Sequence, residues 1–380
     1  MKKKSYVKKI LFVVDSLNIG GVQRLCVDEC YELLDRKIPH LIVCLQKYKS
    51  NQIDILSIDY NFSKSKELNI IYVGNSRIVQ VVNLAKILHN LRPNLVIAHS
   101  TRGAVLVRIS SMMIISQVRI HLYIHQLLTL SNQKQKMKRI LHSLFANSIY
   151  VSSLQFKLDW DNYVDRVLIF KFLFKKKIHF NRMGVYLTRL RDTPKIELLD
   201  CRNNYGHLIF MSRITSWKGF NTFKELSDSG ENLSYHSLVI SVANFRKEIF
   251  EPQEYISETR HFMTNTGIAN IGVGDNAVHI YPSHYGENTK YPQSVGMNVL
   301  ECLALGIPSI ISEEGFESWP EFKNFDLIST CTWKSSKEFE NILTKFENIS
   351  EAQRKISISS IKNSISIVKH VDNLIGNLPE

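Results

Sequence analysis

The sequence contains little glycine and proline, with 16 and 9 residues respectively among 380. This excludes a collagen-like repeat and a low-complexity chain. The remaining composition, 44% hydrophobic and 22% charged, is typical of a folded protein. A chain of this length exceeds what one hydrophobic core usually covers, so its length predicts two domains.

Cysteine is scarce and widely spaced. The six residues do not form the dense pattern of a disulfide-stapled secreted domain. Most of them stand inside apolar runs, which indicates reduced thiols in a packed core and a cytoplasmic location. They are Cys26, Cys30, Cys44, Cys201, Cys302 and Cys331.

Long hydrophobic runs are absent. The N-terminal apolar run covers Ile10 to Val14 and stops at Asp15, which is too short for a secretory signal. The most apolar stretch, from Met112 to Leu128, is interrupted by an arginine and two histidines and is not typical of a membrane span. Those histidines, His121 and His125, share one face of a predicted strand, but no third ligand is spaced to complete a metal site. We therefore expect neither a membrane span nor a bound metal.

Acidic residues are outnumbered, with 35 Asp and Glu against 48 Lys and Arg and a formal net charge of +13. The stretch from Ser131 to Arg182 holds eight Lys and three Arg against three Asp. Such a surface attracts anionic lipid, phosphorylated small molecules or nucleic acid. Aromatic residues interleave with lysine only between Phe170 and Phe180, without a nucleic-acid motif, so we expect no nucleic-acid partner. Residues 133–180 are a candidate surface for an anionic membrane.

The first part of the chain predicts a parallel sheet. Ile10 to Val14 has the continuous apolar character of a buried parallel strand, Gly20 and Gly21 follow in a loop, and a helical period begins at Val22. Together with the next apolar run, this order predicts a β-α-β unit. Further strands are predicted at His40–Leu45, Asn69–Val73, Leu95–His99, Ile120–Ile124, Ser148–Ser152 and Val167–Phe170.

The pattern starts again after a polar and basic stretch. We predict a first domain over residues 1–175, a linker over 176–205 and a second α/β domain over 206–355. Residues 356–380 place apolar side chains at helical spacing, which predicts a final helix that packs back toward the first domain. Strands of the second domain are predicted at His207–Ser212, Ser237–Val242, Val278–Tyr281 and Pro308–Ile311. The simplest fold class is two Rossmann-like, doubly wound domains.

A candidate anion site lies at the start of a helix in the second domain. The helix is predicted from about Met297 to Leu305, and Gly306 stands where a left-handed C-terminal cap belongs. Side chains tilt toward the N-terminus of a helix, so Glu301 leans toward any ligand bound there. The free backbone N–H groups that would hold a phosphate are those near Gly296, Met297 and Asn298.

A second candidate site follows the first strand of the second domain. Arg213 and Lys218 stand five residues apart between the end of this strand and a helix, where both side chains can reach one anionic group. Arginine offers phosphate a bidentate fork, whereas lysine offers a point charge. This pair suits a diphosphate leaving group.

These segments, with the opening strand and its glycine loop, resemble family 4 of the GT-B glycosyltransferases. The matching elements are a strand followed by two glycines, an arginine with a lysine-glycine pair, and a stretch that runs from Pro-Ser through a glycine and a glutamate to Gly-x-Pro. Three such matches in the right order are more specific than one glycine-rich loop. The matching residues are Gly20, Gly21, Arg213, Lys218, Gly219, Pro282, Ser283, Gly296, Glu301, Gly306 and Pro308.

The resemblance implies a GT-B fold with the active site in the cleft between the domains. It also implies transfer of a hexose or N-acetylhexosamine from a UDP- or GDP-sugar to a hydroxyl of a glycan or lipid-linked acceptor, with retained configuration and no metal or other cofactor. Gly20 and Gly21 would approach the diphosphate, Arg213 and Lys218 would neutralise it, and Glu301 would hold the ribose. A basic enzyme of this kind fits bacterial surface polysaccharide synthesis, such as O-antigen, lipopolysaccharide or capsule, at the inner face of the cytoplasmic membrane.

The sequence departs from the family at two places. His125 occupies the position of the family's N-domain histidine, but Gln126 follows it where the family has an acidic residue. The first of the family's two glutamates corresponds to Gln293 when counted back from Glu301, or to Glu287 when counted forward from the Pro-Ser pair. Both alignments stay open. Gln293 and the altered loop around it support the alternative hypothesis of a non-catalytic GT-B partner that binds nucleotide or glycan.

Overall fold

The structure is a computed structural model, and it divides into two compact domains. Of the described residues, those up to Tyr186 and those from Ile367 onward form the N-terminal domain, whereas those from Leu187 to Ser366 form the C-terminal domain. The described residues are 9–18, 20–47, 63–125, 133–166, 168–174, 177–192, 196–197, 206–212, 218–229, 235–240, 260–262, 271–272, 277–282, 295–313, 315, 319–333 and 335–376.

The N-terminal domain is built on a seven-stranded sheet in the order β3-β2-β1-β4-β5-β6-β7. Every neighbouring pair is parallel. Because parallel strands need a crossover between them, their carboxyl ends lie at one edge of the sheet, where ligands of such folds bind. The strands are β1 (Ile10–Val14), β2 (His40–Cys44), β3 (Ile70–Tyr72), β4 (Leu95–Ala98), β5 (Arg119–Ile124), β6 (Ser148–Val151) and β7 (Ile178–Phe180).

The helices of this domain cover both faces of the sheet. The chain crosses the sheet in one direction from β1 to β2, and in the opposite direction from β3 to β4 and onward. Because the crossovers are right-handed, the helices of these two sets of connections lie on opposite faces of the sheet. The helices are α1 (Gly21–Asp35), α2 (Arg77–Leu91), α3 (Thr101–Met113), α4 (Gln133–Ser143), α5 (Leu154–Asp165) and α6 (Leu168–Phe174), with a 3₁₀ helix at Ser63–Glu67.

The C-terminal domain is built on a six-stranded sheet in the order β11-β10-β9-β13-β14-β15, again with parallel neighbours. A separate parallel pair joins β8 and β12. The strands are β8 (Ile196–Glu197), β9 (Gly206–Met211), β10 (Tyr235–Ile240), β11 (Arg260–Phe262), β12 (Ile271–Gly272), β13 (Ala277–Tyr281), β14 (Ser309–Ser312) and β15 (Ile328–Cys331). The helices are α7 (Leu187–Asp192), α8 (Phe220–Ser229), α9 (Met297–Ala304), α10 (Ser336–Glu347) and α11 (Glu351–Ile365), with a 3₁₀ helix at Pro320–Asn324.

Two doubly wound parallel domains confirm the predicted fold class, but one predicted strand is wrong. Residues predicted as a strand at Val167–Phe170 begin the helix α6 instead. Phe170 and Phe174 are four residues apart and bury the same face, and their rings lie 6.1 Å from each other. The seventh strand is β7, which lies inside the stretch predicted as a linker over 176–205.

The predicted final helix is divided at Ser366. The segment α11 stays with the C-terminal domain, and α12 (Ile367–Ile375) returns to the N-terminal domain. Ser366 has φ −59° and ψ 132°, an extended conformation that ends α11. Arg36 at the end of α1 then binds α12, since its Nη1 lies 2.6 Å from Asp372 Oδ1 and its Nη2 donates to the carbonyl of Val368 at 3.1 Å.

The described cysteines and helices bear on two further expectations. Five cysteines fall within the described residues, and each is a buried thiol outside any disulfide. Among the helices that the structure describes, none has both the length and the apolar character that crossing a bilayer requires.

Candidate functional site

Lys218 and Gly219 lie beside the carboxyl end of β13. Gly219 has φ +73°, and a Cβ there would overlap the carbonyl oxygen of Pro282, the residue after β13. Only glycine tolerates both the positive φ and this close approach of two backbones, which explains the glycine after Lys218. Lys218 Nζ donates to Tyr281 Oη at 3.0 Å and lies 5.2 Å from the centre of that ring. The lysine charge is therefore held at the edge where ligands of parallel sheets bind.

The N-terminus of α9 opens at the same edge of the C-terminal sheet. Gly296 is the N-cap residue and supplies no side-chain cap. The side-chain amide of Asn298 donates to the backbone carbonyl of Met211 at the end of β9, and this bond joins the start of α9 to that strand. A Cβ on Gly296 would overlap the end of the Asn298 side chain, which would have to move to accommodate it. The first amides of a helix have no partner within it, so those of Met297 and Asn298 form the predicted anion site.

Gly306 ends α9 in the conformation that the sequence predicts. Its φ is +79°, its N–H donates to Leu303 O at 3.0 Å, and the N–H of Ile307 donates to Cys302 O at 2.9 Å. These two bonds form a Schellman motif. The motif fixes the length of α9 and hence the position of its N-terminus.

Glu301 forms a buried ion pair. Arg189 on α7 donates from Nη2 to Glu301 Oε1 at 2.6 Å, and the two side chains are 2% and 6% exposed. Sequence reasoning missed Arg189, because nothing in the local pattern around α7 distinguishes it from a surface arginine. The predicted ribose ligand thus also holds α7 against α9.

Several predicted site residues lie outside the described residues. Arg213 is one, and the two candidates for the first glutamate, Gln293 and Glu287, are the others. Their predicted roles stay predictions. Of the two candidate sites in the C-terminal domain, the described parts are Lys218, Gly219 and the start of α9.

In the N-terminal domain, the glycine loop opens a helix at the carboxyl end of β1. Gly20 is the N-cap of α1, and its carbonyl accepts the N–H of Arg24 at 2.9 Å. No acidic side chain stands in the first turn of α1, so the positive end of the helix dipole faces the sheet edge uncompensated within that turn. The position suits the predicted contact with a diphosphate.

His125 follows β5 and contacts a second histidine that sequence reasoning missed. Its Nε2 lies 3.2 Å from Nδ1 of His99, which follows β4. His99 Nε2 in turn lies 2.9 Å from Glu29 Oε2 on α1, and both of these side chains are fully buried. The three side chains form a chain from a buried carboxylate to the sheet edge.

The other Glu29 oxygen binds α12. His370 Nε2 lies 2.6 Å from Glu29 Oε1, and His370 Nδ1 contacts the carbonyl of Arg182. Tyr123 lies beside this network and donates from Oη to the carbonyl of Asn181 at 2.5 Å. One buried carboxylate therefore joins three elements: α1, the end of β4, and α12.

Burial and charge act against each other in this network. Burial alone would raise the pKa of Glu29, but the facing His99 and His370 imidazoles hold that pKa well below its usual range. Burial alone would lower the pKa of His99, but the Glu29 carboxylate raises it to about 10. Burial, with the cationic His99 next, holds the pKa of His125 well below its usual range. These directions favour positive charge on His99 and disfavour it on His125.

The Cys26 thiol is the third group near Glu29 and His99. Possible ligand atoms of the three residues lie within 4.8 Å of one another. Burial raises the pKa of the Cys26 thiol well above its usual range. His121 does not join them, because its Nδ1 donates to the carbonyl of Leu374 at 3.0 Å. We therefore describe this cluster as an ion pair beside a thiol.

No protein-family model and no curated protein matches the sequence. Solved structures, in contrast, match almost the whole chain. HepE from Anabaena, crystallised with UDP and glucose, is 13% identical, with a TM-score of 0.66 over 98% of this chain and 99% of its own. The lipopolysaccharide outer core galactosyltransferase WaaB is 15% identical, with a TM-score of 0.55 over 96% of this chain and 98% of its own.

A further similar structure is a putative UDP-N-acetylglucosamine 2-epimerase from Listeria monocytogenes, 11% identical with a TM-score of 0.55 over 97% of this chain and 94% of its own. Identities this low show the fold alone. That fold, with two α/β domains on parallel sheets, is GT-B. Because transferases and an epimerase share it, the reaction has to be argued from the residues of the site.

Proposed function

We propose that the chain is a glycosyltransferase that moves a sugar from a nucleoside diphosphate sugar to an acceptor hydroxyl. One observation supports this most: Lys218, held by Gly219 and Tyr281, and the open N-terminus of α9 occupy the same edge of the C-terminal sheet. A cation and helix amides at one edge are what a diphosphate needs. The structural neighbour HepE, crystallised with UDP and glucose, has the same fold.

The proposed mechanism relies on fixed positive charge. When the sugar leaves, negative charge develops on the diphosphate, and preorganised donors stabilise it without rearranging. Lys218 and the amides of Met297 and Asn298 supply these donors, and Arg213 is proposed to add a bidentate contact. Fixed cations meet the need that a metal ion serves elsewhere, so we propose metal-independent transfer with retention, as in family 4.

Nucleotide titration tests the donor site. We expect calorimetric titration with UDP and then GDP to detect binding of one of them, because the base pocket selects between them. Arg213→Ala should weaken that binding at least tenfold, since it removes a charge-assisted bidentate contact. Lys345→Ala is the matched control, because Lys345 is an exposed lysine on α10 of the same domain.

Binding of neither nucleotide would contradict the donor site and favour the alternative of a non-catalytic partner protein. Incubation with UDP-N-acetylglucosamine alone distinguishes the other reactions. Slow release of free sugar is expected of a transferase without its acceptor. Epimerisation at C2 of the sugar would show instead that the fold serves an epimerase here.

We also propose that the acceptor is carried by a lipid and that the N-terminal domain docks on an anionic membrane. A groove of about 590 Å³ lies between α2, α3 and α4, with an apolar floor and a basic rim. Among the described residues that line it there is no carboxylate, and the rim residues are Arg77, Arg102, Lys138, Arg139 and His142. Burial, with the nearby Lys138 and Arg77 next, lowers the pKa of His142.

Exposed apolar side chains accompany these cations. Ile78 at the groove is 79% exposed, and Phe172 on α6 is 90% exposed. Apolar insertion together with basic contacts is how peripheral proteins bind anionic leaflets. This proposal places the chain at the inner face of the cytoplasmic membrane, in surface polysaccharide synthesis of the kind that WaaB, a lipopolysaccharide galactosyltransferase, serves.

Vesicle sedimentation tests the docking surface. We expect salt-sensitive binding to phosphatidylcholine vesicles that contain phosphatidylglycerol, and little binding without it. Changing Lys134 and Lys138 to Gln should weaken binding about 30-fold, at about 1 kcal/mol for each basic residue. The control changes Lys337 and Lys345, two exposed lysines of the C-terminal domain, to Gln. Equal losses in both double variants would show a nonspecific charge effect and contradict the surface.

A further inference from the structure

Three histidines are connected to the buried carboxylate of Glu29. Two of them face the carboxylate directly, and the third contacts one of these two. His99 and His370 each face one Glu29 oxygen, and His125 contacts His99 from the other side. A carboxylate buried this deeply is costly unless it is paired with cations and hydrogen-bonded. The two imidazoles that face Glu29 offset the cost of burying its charge. Their contacts with the carboxylate also limit which nitrogen atoms of the histidine rings can carry a hydrogen.

We propose that the Glu29–His99 pair fixes His125 as a neutral imidazole that carries its hydrogen on Nδ1 and therefore serves as a hydrogen-bond donor to the sugar. The role toward the sugar rests on the proposed function, whereas the protonation states do not. Glu29 and His99 are positioning residues in this proposal, since they act through His125.

The geometry leaves two ways to place the hydrogens. His99 Nε2 faces a carboxylate oxygen at 2.9 Å, so this nitrogen must carry a hydrogen. One hydrogen also lies between His99 Nδ1 and His125 Nε2, which are 3.2 Å apart. If it belongs to His99, that ring is cationic and His125 accepts at Nε2. If it belongs to His125, His99 is neutral and the tautomer of His125 is reversed.

The surroundings favour the first arrangement. The described groups that face this pair are Cys26 and Glu29 from α1, Phe12 from β1, Tyr123 from β5 and His370 from α12. Glu29 is the only one of these that carries negative charge at neutral pH, because burial raises the pKa values of the Cys26 thiol and the Tyr123 hydroxyl well above their usual range. The carboxylate stabilises a cation on the nearer ring, which is His99.

A donor at Nδ1 has a chemical consequence. With its Nε2 lone pair occupied by His99, His125 has no free basic nitrogen and cannot accept a proton from the acceptor hydroxyl. It can donate to a sugar hydroxyl at every pH at which His99 remains cationic. Because the His99 pKa is raised to about 10, that range extends from the acid side to well above neutral pH.

The test is histidine-selective ¹⁵N NMR of the full chain, which has 13 histidines. Resonances are assigned by their loss in His125→Asn and His99→Asn. We expect His125 to show a protonated Nδ1 and an unprotonated Nε2 that do not titrate between about pH 6 and 8.5, on either side of the ordinary histidine pKa. We expect His99 to be doubly protonated over the same range. A His125 that titrates near pH 6.5, or that carries its hydrogen on Nε2, would overturn the proposal.

Paired variants of His99 extend the test to turnover. Asparagine places an amide N–H where Nδ1 of His99 lies, whereas leucine removes the donor. We expect His99→Leu to lower kcat by about 10- to 100-fold, the usual scale for losing a supporting hydrogen bond, and to raise the pKa of His125 from its lowered position, because the cationic neighbour is lost while burial remains. His99→Asn should restore most of the loss. Equal kcat values and pH profiles in both variants would reduce His99 to a packing role and overturn the proposal.

The two proposals fail separately. If neither UDP nor GDP binds, the proposed function falls while the ¹⁵N spectrum still decides the protonation states. If a nucleotide binds but His125 titrates normally, the donor site stands and the positioning role falls. Where a His99 variant does not fold, as judged by its thermal unfolding, the spectrum of the unaltered chain decides alone.

Discussion

Replacing Lys218 with alanine is expected to lower kcat/KM for sugar transfer by about 10²- to 10³-fold, the scale known for removal of one preorganised donor. The reason is position. Gly219 and Pro282 hold the backbone so closely that Lys218 has little freedom to move away from the edge of the sheet. The loss corresponds to about 2.7 to 4 kcal/mol of transition-state stabilisation. Steady-state kinetics measures this loss, with sugar donors that carry the nucleotide identified by titration.

Three further variants separate the charge of Lys218 from its anchoring. Lys218→Arg retains charge with a different shape and should recover part of the loss. Tyr281→Phe removes the 3.0 Å hydrogen bond to Nζ and retains the ring under the cation, so we expect a smaller loss than that of Lys218→Ala. Lys345→Ala is the exposed control. Near-normal turnover in Lys218→Ala would contradict the proposed role in the departure of the diphosphate.

The fold followed from the sequence where apolar runs were short and bounded. The run from Ile10 to Val14, the glycine loop and the period of α1 gave correct bounds, because each boundary is marked by a residue type with a local effect. Phe170 to Phe174 had no such marker. A strand and an amphipathic helix both accept a dense aromatic run, and only the packing of Phe174 beneath Trp160 selects the helix.

The division of the last helix had no local signal either. The apolar spacing continues through Ser366 without a proline or glycine, so the sequence predicts one helix. The break is imposed by the first domain: the N–H of Ile367 donates to the Val185 carbonyl at 3.1 Å, and Gly184 admits the Ile367 backbone so closely that a Cβ would collide with it. Tertiary contact therefore overrides helical periodicity here.

The candidate site was predictable only where its residues are neighbours along the chain. Lys218, Gly219 and the cap of α9 stand in motifs of fixed spacing, so the sequence reveals them. Glu29 and His99 are 70 residues apart, and Glu29 and His370 are 341 apart. Each is unremarkable in its own segment, and only the return of α12 and the order of β1 and β4 bring them together. Local sequence patterns therefore cannot predict that Glu29, His99 and His370 lie together.

Replacing Arg189 with alanine is expected to destabilise the C-terminal domain by about 3 to 5 kcal/mol, because it removes the guanidinium that pairs with the buried Glu301 carboxylate. The pair is nearly inaccessible to solvent, with side chains 2% and 6% exposed and a 2.6 Å contact. For a domain of this size the loss corresponds to a fall of about 10 °C in the unfolding temperature of its transition. Calorimetry of the full chain, with the two domain transitions fitted separately, measures it.

The double variant Arg189→Met with Glu301→Gln shows whether Glu301 has a role beyond this pair. Replacing both members of a buried ion pair with neutral groups of similar size is often tolerated, so we expect most of the stability to return. Nucleotide binding should not return with it if Glu301 holds the ribose, because a glutamine cannot supply a charged acceptor to two hydroxyls. A double variant that regains both stability and nucleotide affinity would show that Glu301 serves the packing of α7 against α9 alone. The ribose would then be held by groups outside that pair.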